Sequence, residues 1–184
     1  MKDYRRQDPS FALCGLNCCL CPMHVGGWCP GCGGGEGHQP CAFIRCSRQH
    51  GQPEHCFACA EYPCPRFDQA MAYDSFLPHS RMRADLDAAR DMGAAAYGLQ
   101  LRQREALLQE LLAHYNDGRK KTLFCNAAAL LDAQALEAAV RQLREAVPQD
   151  APVKEKAARA AALLNAAAQQ QGVSLKLCKK PREE

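Results

Sequence analysis

The sequence has no long apolar run and no apolar leader. Eighteen consecutive apolar residues do not occur anywhere in the 184-residue chain, so no membrane-spanning helix is predicted. The segment Met1–Leu16 lacks the apolar stretch and the small-residue cleavage site of a secretory signal peptide. These two absences predict a cytoplasmic protein without a membrane partner, in which thiols stay reduced.

Aromatic residues and the motifs of common enzymes are also scarce. Aromatic residues make up 7% of the chain and Trp28 is the single tryptophan, so the apolar core must depend on leucine and alanine. The chain lacks four common enzyme motifs: a Ser-His-Asp pattern, a Walker-type loop, a dinucleotide fingerprint and an HExxH sequence. The sequence therefore favours a role other than catalysis.

Cysteine, by contrast, is abundant and unevenly placed. Eleven of the thirteen cysteines lie between Cys14 and Cys64, which in a cytoplasmic protein indicates metal binding or catalysis rather than disulfides. A Cys-x2-Cys pair directs two sulfurs towards one point, and two such pairs form the tetrahedral sulfur site that Zn²⁺ prefers. Three such pairs occur in this region. The predicted metal ligands are Cys14, Cys18, Cys21, Cys29, Cys32, Cys41, Cys46, Cys56, Cys59 and Cys64.

Zinc is the favoured metal, at about two ions per chain, held in closed four-sulfur sites that stabilise the fold. The alternative is an iron–sulfur cluster, which four thiolates also bind. Cys14, Cys18 and Cys21 have the spacing used by radical S-adenosylmethionine enzymes, but the chain lacks the βαβ pattern that builds the barrel of those enzymes. Ten spaced cysteines exceed the eight that two ions need, so the sequence leaves open which of them share an ion. Cys19 is the predicted non-ligand.

The other residues of this region are predicted to support the metal fold. Seven glycines between Gly26 and Gly37 are expected to let the backbone turn tightly around a metal. Trp28 is expected to cover the metal-binding turn, and residues 1–10 to form a fraying arm. With sulfurs in surplus, the histidines are predicted to be surface residues: His24, His38, His50 and His55.

The charge of the chain does not indicate a nucleic-acid partner. The formal net charge of +3 counts the cysteines as neutral. Eight thiolates with two zinc ions would bring the protein close to neutrality, so its basic isoelectric point of 8.2 carries little meaning. The expected partner is a protein of unknown identity or a small anion.

The rest of the chain is rich in alanine and helical in its periodicity. The predicted fold is mainly α, with an irregular metal-knuckle module at residues 11–66 packed on an all-α helical bundle at residues 67–184. The two are expected to form one integrated domain, because Glu61–Asp68 offers no flexible spacer. The expected elements are helices over residues 80–92, 99–116, 122–131, 132–148 and 152–172, and one short strand or an extended tail at Val173–Leu177.

A second candidate site surrounds Cys125. This thiol falls in the first turn of a predicted helix, directly after Arg119, Lys120 and Lys121. Helix amides and nearby cations lower the pKa of a thiol and can also hold an anion. Apolar neighbours such as Phe124 favour a plain core position instead. The alternative function is therefore an iron–sulfur redox protein, or an enzyme that uses Cys125 beside this basic turn.

The order of these motifs resembles a family of cysteine-rich bacterial and archaeal proteins of unknown function, to which zinc binding is ascribed. The resemblance rests on Cys-Gly-Leu-x-Cys-x2-Cys-Pro from Cys14, the Cys-x-Gly-Cys turn at Cys29, the Cys41–Cys46 pair, and Cys-x2-Cys-x-Glu-Tyr-Pro-Cys from Cys56. The segment Tyr115–Cys125 is similar as well, so residues 12–131 are covered. Cys19 and the Gly33–Gly35 run depart from the pattern. The resemblance implies a metal and this architecture, but no enzymatic activity.

Overall fold

The computed structural model describes residues 3–181 and is 55% helical. No strand occurs in this part of the chain, so the predicted mainly α class is confirmed. Of the two alternatives for Val173–Leu177, a short strand or an extended tail, the strand is not formed. These residues form an irregular segment, in which the carbonyl oxygen of Leu175 accepts a hydrogen bond from Nδ2 of Asn126 at 2.8 Å. The side-chain amide of Asn126 thus satisfies a backbone carbonyl that would pair with a neighbouring strand in a sheet.

Eight α-helices are formed in residues 3–181, together with two 3₁₀ turns at Cys18–Leu20 and Cys56–Ala58. None of these helices is long and apolar enough to cross a membrane. The five predicted helices are confirmed as α4 to α8, whereas the three shorter helices were not predicted. The bounds are α1 (Pro22–Val25), α2 (Ala42–Gln49), α3 (Arg66–Met71), α4 (Met82–Met92), α5 (Ala94–Tyr115), α6 (Lys121–Leu130), α7 (Ala133–Ala146) and α8 (Val153–Gln170).

The chain divides into two compact units. The first comprises the chain as far as Gln100 together with the residues from Cys178 onwards, and the second comprises Leu101–Leu177. The predicted boundary at residue 66 does not coincide with this division, because α3 and α4 belong to the first unit.

The first unit has a small apolar core among short helices and loops. The rings of Phe43 on α2 and Phe67 on α3 pack with their centroids 4.9 Å apart. Asn17 joins the loop before the first 3₁₀ turn to α4 by donating to Asp85 at 3.0 Å. The largest fully buried side chains of this unit are Phe11, Leu13, Leu20, Ile44, Phe67, Met82 and Leu86.

Residues 3–10 of the N-terminal arm are ordered, contrary to the expectation that the arm frays; residues 1 and 2 lie outside the described part of the chain. Tyr4 is 3% exposed, and the backbone N–H of Arg6 donates to the carbonyl of Gly33 at 3.2 Å. A Cβ atom on Gly31 would lie 2.4 Å from the carbonyl oxygen of Pro9, and one on Gly33 would lie 2.8 Å from Cγ of Arg6. These glycines therefore make room for the arm, in addition to turning the backbone.

The second unit is a set of longer helices around a leucine-rich core. Helix α8 packs against both α6 and α7, and its buried alanines allow the backbones to approach closely. Arg104 caps the end of α6 by donating to the carbonyls of Ala128 at 2.9 Å and Leu131 at 2.6 Å. The fully buried core side chains include Leu108, Leu111, Phe124, Leu136, Val140, Leu143 and Leu164.

Candidate metal centre

The ten predicted ligands line two cavities, both within the first unit. The six-cysteine cavity has a volume of about 440 Å³ and the four-cysteine cavity one of about 410 Å³. Among the described cysteines, Cys19, Cys125 and Cys178 line neither cavity. The six-cysteine cavity is lined by Cys14, Cys18, Cys21, Cys29, Cys32 and Cys41, and the four-cysteine cavity by Cys46, Cys56, Cys59 and Cys64.

Helix α2 contributes a cysteine to each cavity. Cys41 stands at its N-cap position and lines the six-cysteine cavity, whereas Cys46 lies within the helix and lines the four-cysteine cavity. The backbone of Cys41 is extended whereas that of Cys46 is helical, so two residues five positions apart serve different cavities.

The sulfurs of the six-cysteine cavity lie close enough to interact electrostatically. Cys14 interacts with Cys32 and Cys41. Cys18 interacts with Cys14, Cys32 and Cys21, and Cys21 in turn interacts with Cys29. The six thiols therefore form one continuous group.

Backbone N–H groups point at four of these sulfurs. Such donors stabilise the charged thiolate over the neutral thiol, and they are typical of the outer shell that orients metal-bound ligands. The sulfurs and their donors are Cys14 with the amide of Leu16, Cys18 with that of Cys32, Cys21 with those of Met23 and His24, and Cys32 with that of Leu13.

In the absence of a cation, burial opposes the effect of these donors, because it favours the neutral thiol over the thiolate. It raises the pKa of the Cys14 and Cys18 thiols well above their ordinary value, and neighbouring thiols raise both further. Burial likewise raises the pKa of Cys56 to about 12. A soft divalent cation resolves this conflict, because it displaces the protons and is itself held by the thiolates. The donor set thus fits zinc or an iron–sulfur cluster.

The four-cysteine cavity gathers residues from three short elements. Cys46 lies on α2, Cys56 in the second 3₁₀ turn and Cys64 shortly before α3. Cys56 interacts electrostatically with Cys64, Cys59 and Cys46, and also with Cys41 and Cys14 of the six-cysteine cavity. His50 also lines the cavity; its Nδ1 donates to the carbonyl of Cys46 at 3.0 Å and lies 3.7 Å from the sulfur of the same residue.

Arg6 is a buried cation beside the six-cysteine cavity, and no sequence pattern indicates its role. Its side chain is 2% exposed and pairs with the Glu54 carboxylate at 3.2 Å. The guanidinium donates to the carbonyls of Phe11 at 2.7 Å and Glu54 at 2.7 Å, and to Nδ1 of His55 at 3.2 Å. It also donates to the side chain of Cys32, where its charge favours the thiolate.

Two expectations about aromatic rings are wrong. His38 and His55 are buried rather than exposed, and the ring of His55 packs between Phe11 at 5.2 Å and Phe57 at 5.1 Å. Trp28 is 73% exposed and so does not cover a metal-binding turn. The sequence could not reveal this, because ring contacts depend on residues distant along the chain.

The cysteines share cavities without standing at metal-ligand spacing. Between residues 3 and 181, no group of three or more Cys, His, Asp or Glu side chains is arranged so that it could hold a metal ion. Metal binding would require the thiols of a cavity to draw together and lose their protons.

Cys125 lies away from both cavities, in α6. It is 0% exposed, so it lacks the access that a reactive thiol needs. The basic turn before it is also internally bonded: the amides of Gly118 and Lys120 donate to Oδ1 of Asn116, and that of Arg119 to Oδ1 of Asp117. These amides are therefore not directed towards an anion. Anion binding at Arg119, Lys120 and Lys121 stays a prediction.

Comparison with models of protein families, with curated proteins and with solved structures yields no match. The resemblance to cysteine-rich bacterial and archaeal proteins accordingly remains an expectation from the motifs alone.

Proposed function

We propose that the protein binds zinc through its two cysteine cavities, and that the metal holds the first unit together as a non-catalytic interaction module in the reducing cytoplasm. One observation carries the proposal. The ten cysteines predicted as ligands are the same ten that line the two cavities, and the other three cysteines stand apart.

The energetic need for a metal supports the proposal. The loops that carry the sulfurs contain many glycines, and ordering each residue costs about 1–2 kcal/mol of backbone entropy. Structural zinc contributes on the order of 10 kcal/mol of apparent binding free energy at neutral pH. This is comparable with the total stability of a typical domain, about 5–15 kcal/mol. A bound metal would therefore determine whether the first unit folds.

A role in interaction is supported by the surface of the first unit. Trp28, Tyr73 and Phe76 are exposed there, and aromatic side chains of this kind are enriched at protein interfaces. Closed four-sulfur sites have no open coordination position for a substrate. A protein partner suits this surface better than a small-molecule substrate.

Metal analysis of protein purified without oxygen tests the proposal. We expect a colourless solution with zinc bound, and simultaneous loss of zinc and of the folded structure of the first unit when a strong chelator is added. Brown protein that contains iron and acid-labile sulfide would show that the cavities hold an iron–sulfur cluster instead of zinc.

Alkylation mapped by mass spectrometry tests the non-catalytic part. Cys125 should label slowly in the folded, metal-loaded protein because it is fully buried, whereas the exposed Cys178 should label at the rate of an ordinary thiol. Rapid labelling of Cys125 that phosphate slows would instead favour an enzyme with an anion site.

A further inference from the structure

A serine and a histidine in the loop between α3 and α4 form a hydrogen-bonded pair. Oγ of Ser75 lies 2.8 Å from Nε2 of His79, and Nδ1 of His79 lies 2.7 Å from the carbonyl oxygen of Ala70. Because a carbonyl can only accept, Nδ1 carries the ring proton and donates, and Nε2 is the acceptor for the Ser75 hydroxyl. A hydroxyl, a base and a group that orients the base are the parts of an activated nucleophile.

Asp74 fixes the loop that carries this pair. Its Oδ1 accepts the backbone N–H of His79 and its Oδ2 accepts that of Cys178, both at 2.7 Å. The backbone N–H of Asp74 donates to the carbonyl of Cys178, also at 2.7 Å. These bonds hold the segment that begins at Cys178 against the loop, where the ammonium group of Lys179 contacts the carbonyl oxygen of Ser75. A cation therefore stands beside the serine.

The serine and the histidine also line the six-cysteine cavity. Ser75 is exposed and His79 is half-buried, so a molecule from solvent can reach the hydroxyl. Apart from the cysteines, the polar side chains of this cavity are those of Gln39, Ser75 and His79. An apolar acyl group suits such a lining better than a charged group does. The apolar side chains of the cavity include Leu16, Phe43, Ile44, Phe76, Leu77 and Met82.

We propose that Ser75 and His79 form a catalytic pair that hydrolyses esters or thioesters of small apolar carboxylic acids. Oγ of Ser75 attacks the acyl carbon while its proton passes to Nε2 of His79. The bond to the alcohol or thiol then breaks, and the leaving group takes this proton. Water attacks the acyl-serine and gives one proton to Nε2; the acid is released as this proton returns to Oγ. The pair is separate from the ten cysteines, so the metal keeps its structural, non-catalytic role and the activity is an additional one.

Two groups are available to stabilise the negative oxygen that forms on the acyl group. The backbone N–H of Ser75 donates to Nε2 of His79 at 3.2 Å. Once Nε2 carries a proton it no longer accepts, so this N–H is free to donate to the oxyanion, and Lys179 adds a positive charge nearby. The group that orients His79 is a neutral carbonyl, which stabilises the imidazolium less than the carboxylate of a full triad does. The pair therefore suits esters and thioesters, whose leaving groups need less assistance than that of an amide.

Hydrolysis of para-nitrophenyl butyrate by the protein purified without oxygen tests the inference. All proteins compared carry Cys178→Ser, which removes the exposed thiol as a competing nucleophile. We expect turnover that Ser75→Ala and His79→Gln each lower by about 100-fold or more, the usual contribution of an acid–base group. Ser80→Ala, which changes an exposed serine of the same loop, should retain the full rate. Equal rates for Ser75→Ala and Ser80→Ala would overturn the catalytic pair.

Labelling of the unmodified protein with a fluorophosphonate decides the question even if a variant does not fold. This reagent loses fluoride as a phosphorus–oxygen bond forms to a serine that a base has activated. We expect one label per chain, mapped to Ser75 by mass spectrometry, and none on Ser80. If Ser75 stays unlabelled while zinc is bound, the catalytic pair is overturned, the zinc-binding proposal stands, and His79 serves only to cap the carbonyl end of α3. Labelling of Ser75 in protein that binds no zinc would support the pair and overturn the zinc-binding proposal.

Discussion

The two units of this protein are stabilised by different kinds of interaction. In the first unit, the longest helix that lies wholly within it has 11 residues, and loops carry most of the ten cavity cysteines. In the second unit, helices of 10, 14 and 18 residues enclose a core of leucine, valine and alanine. The apolar core of the second unit needs no ligand, whereas the buried thiols of the first unit suit a metal.

The comparison shows how a chain can fold a region that has little regular structure. Hydrogen bonds from backbone amides to sulfur, a buried guanidinium and close glycine contacts position the loops of the first unit. Each of these interactions is weak on its own, and a metal would connect them.

Arg6→Met should destabilise the first unit by about 3 kcal/mol, because it leaves several buried acceptors without their charged donor. Denaturant unfolding of the metal-loaded protein measures the change, and a competing chelator should also remove zinc more easily. Arg48→Met is the matched control in the same unit, since Arg48 is exposed on α2. Its effect should stay within about 0.5 kcal/mol. Equal effects at the two positions would show that Arg6 has no special role.

Gly31→Ala and Gly51→Ala separate backbone strain from packing of the N-terminal arm. Both glycines have positive φ, at 91° and 76°, so alanine at either should cost about 1 kcal/mol. Only at Gly31 does the added Cβ meet the arm, 2.4 Å from the carbonyl oxygen of Pro9; nothing lies within 4 Å at Gly51. We expect Gly31→Ala to lower the free energy of unfolding by about 2 kcal/mol more than Gly51→Ala does. If the two variants lose similar amounts of stability in thermal unfolding, the arm adapts freely to the added methyl group.

The ion pair of Glu110 and Arg144 gives a small pH effect in the second unit. The hydrogen bond from Arg144, at 2.6 Å, lowers the pKa of Glu110 below its ordinary value. Its stabilisation is therefore complete above pH 4.5, the ordinary pKa of the group, and is lost as the pH falls through the lowered pKa. Because the pair is partly exposed, we expect less than about 1 kcal/mol. Amide exchange in α7 of Glu110→Gln should differ from that of the unmodified protein at neutral pH but not in acid.

The second unit could be predicted from sequence because its pattern is local. The helices α6, α7 and α8 follow from apolar residues at helical spacing, bounded by residues such as Asp132, Pro152 and Gly172. Asp132 does occupy the N-cap position of α7, although its side chain makes no capping hydrogen bond. The pattern thus located the helix even where the expected contact is missing.

The first unit could be predicted only in part. The spacing of the cysteines singled out the ten that line the cavities, but not their division between the two. That division depends on α2, an eight-residue helix whose buried Phe43, Ile44 and Ser47 are too few to reveal a period. The order of the arm and the burial of Arg6 depend on Gly31 and Gly33, more than twenty residues away in the chain. Interactions of this range leave no periodic trace in the sequence.

Hydrogen exchange before and after removal of the metal tests whether a metal holds the first unit together. The protein is purified without oxygen, one portion is treated with a strong zinc chelator and another with buffer, and the metal content of both is measured. We predict that amides in residues 11–64 lose their protection when the metal is removed, while those of α6, α7 and α8 keep theirs. If the chelator removes the metal and residues 11–64 stay protected, a metal does not hold the first unit together.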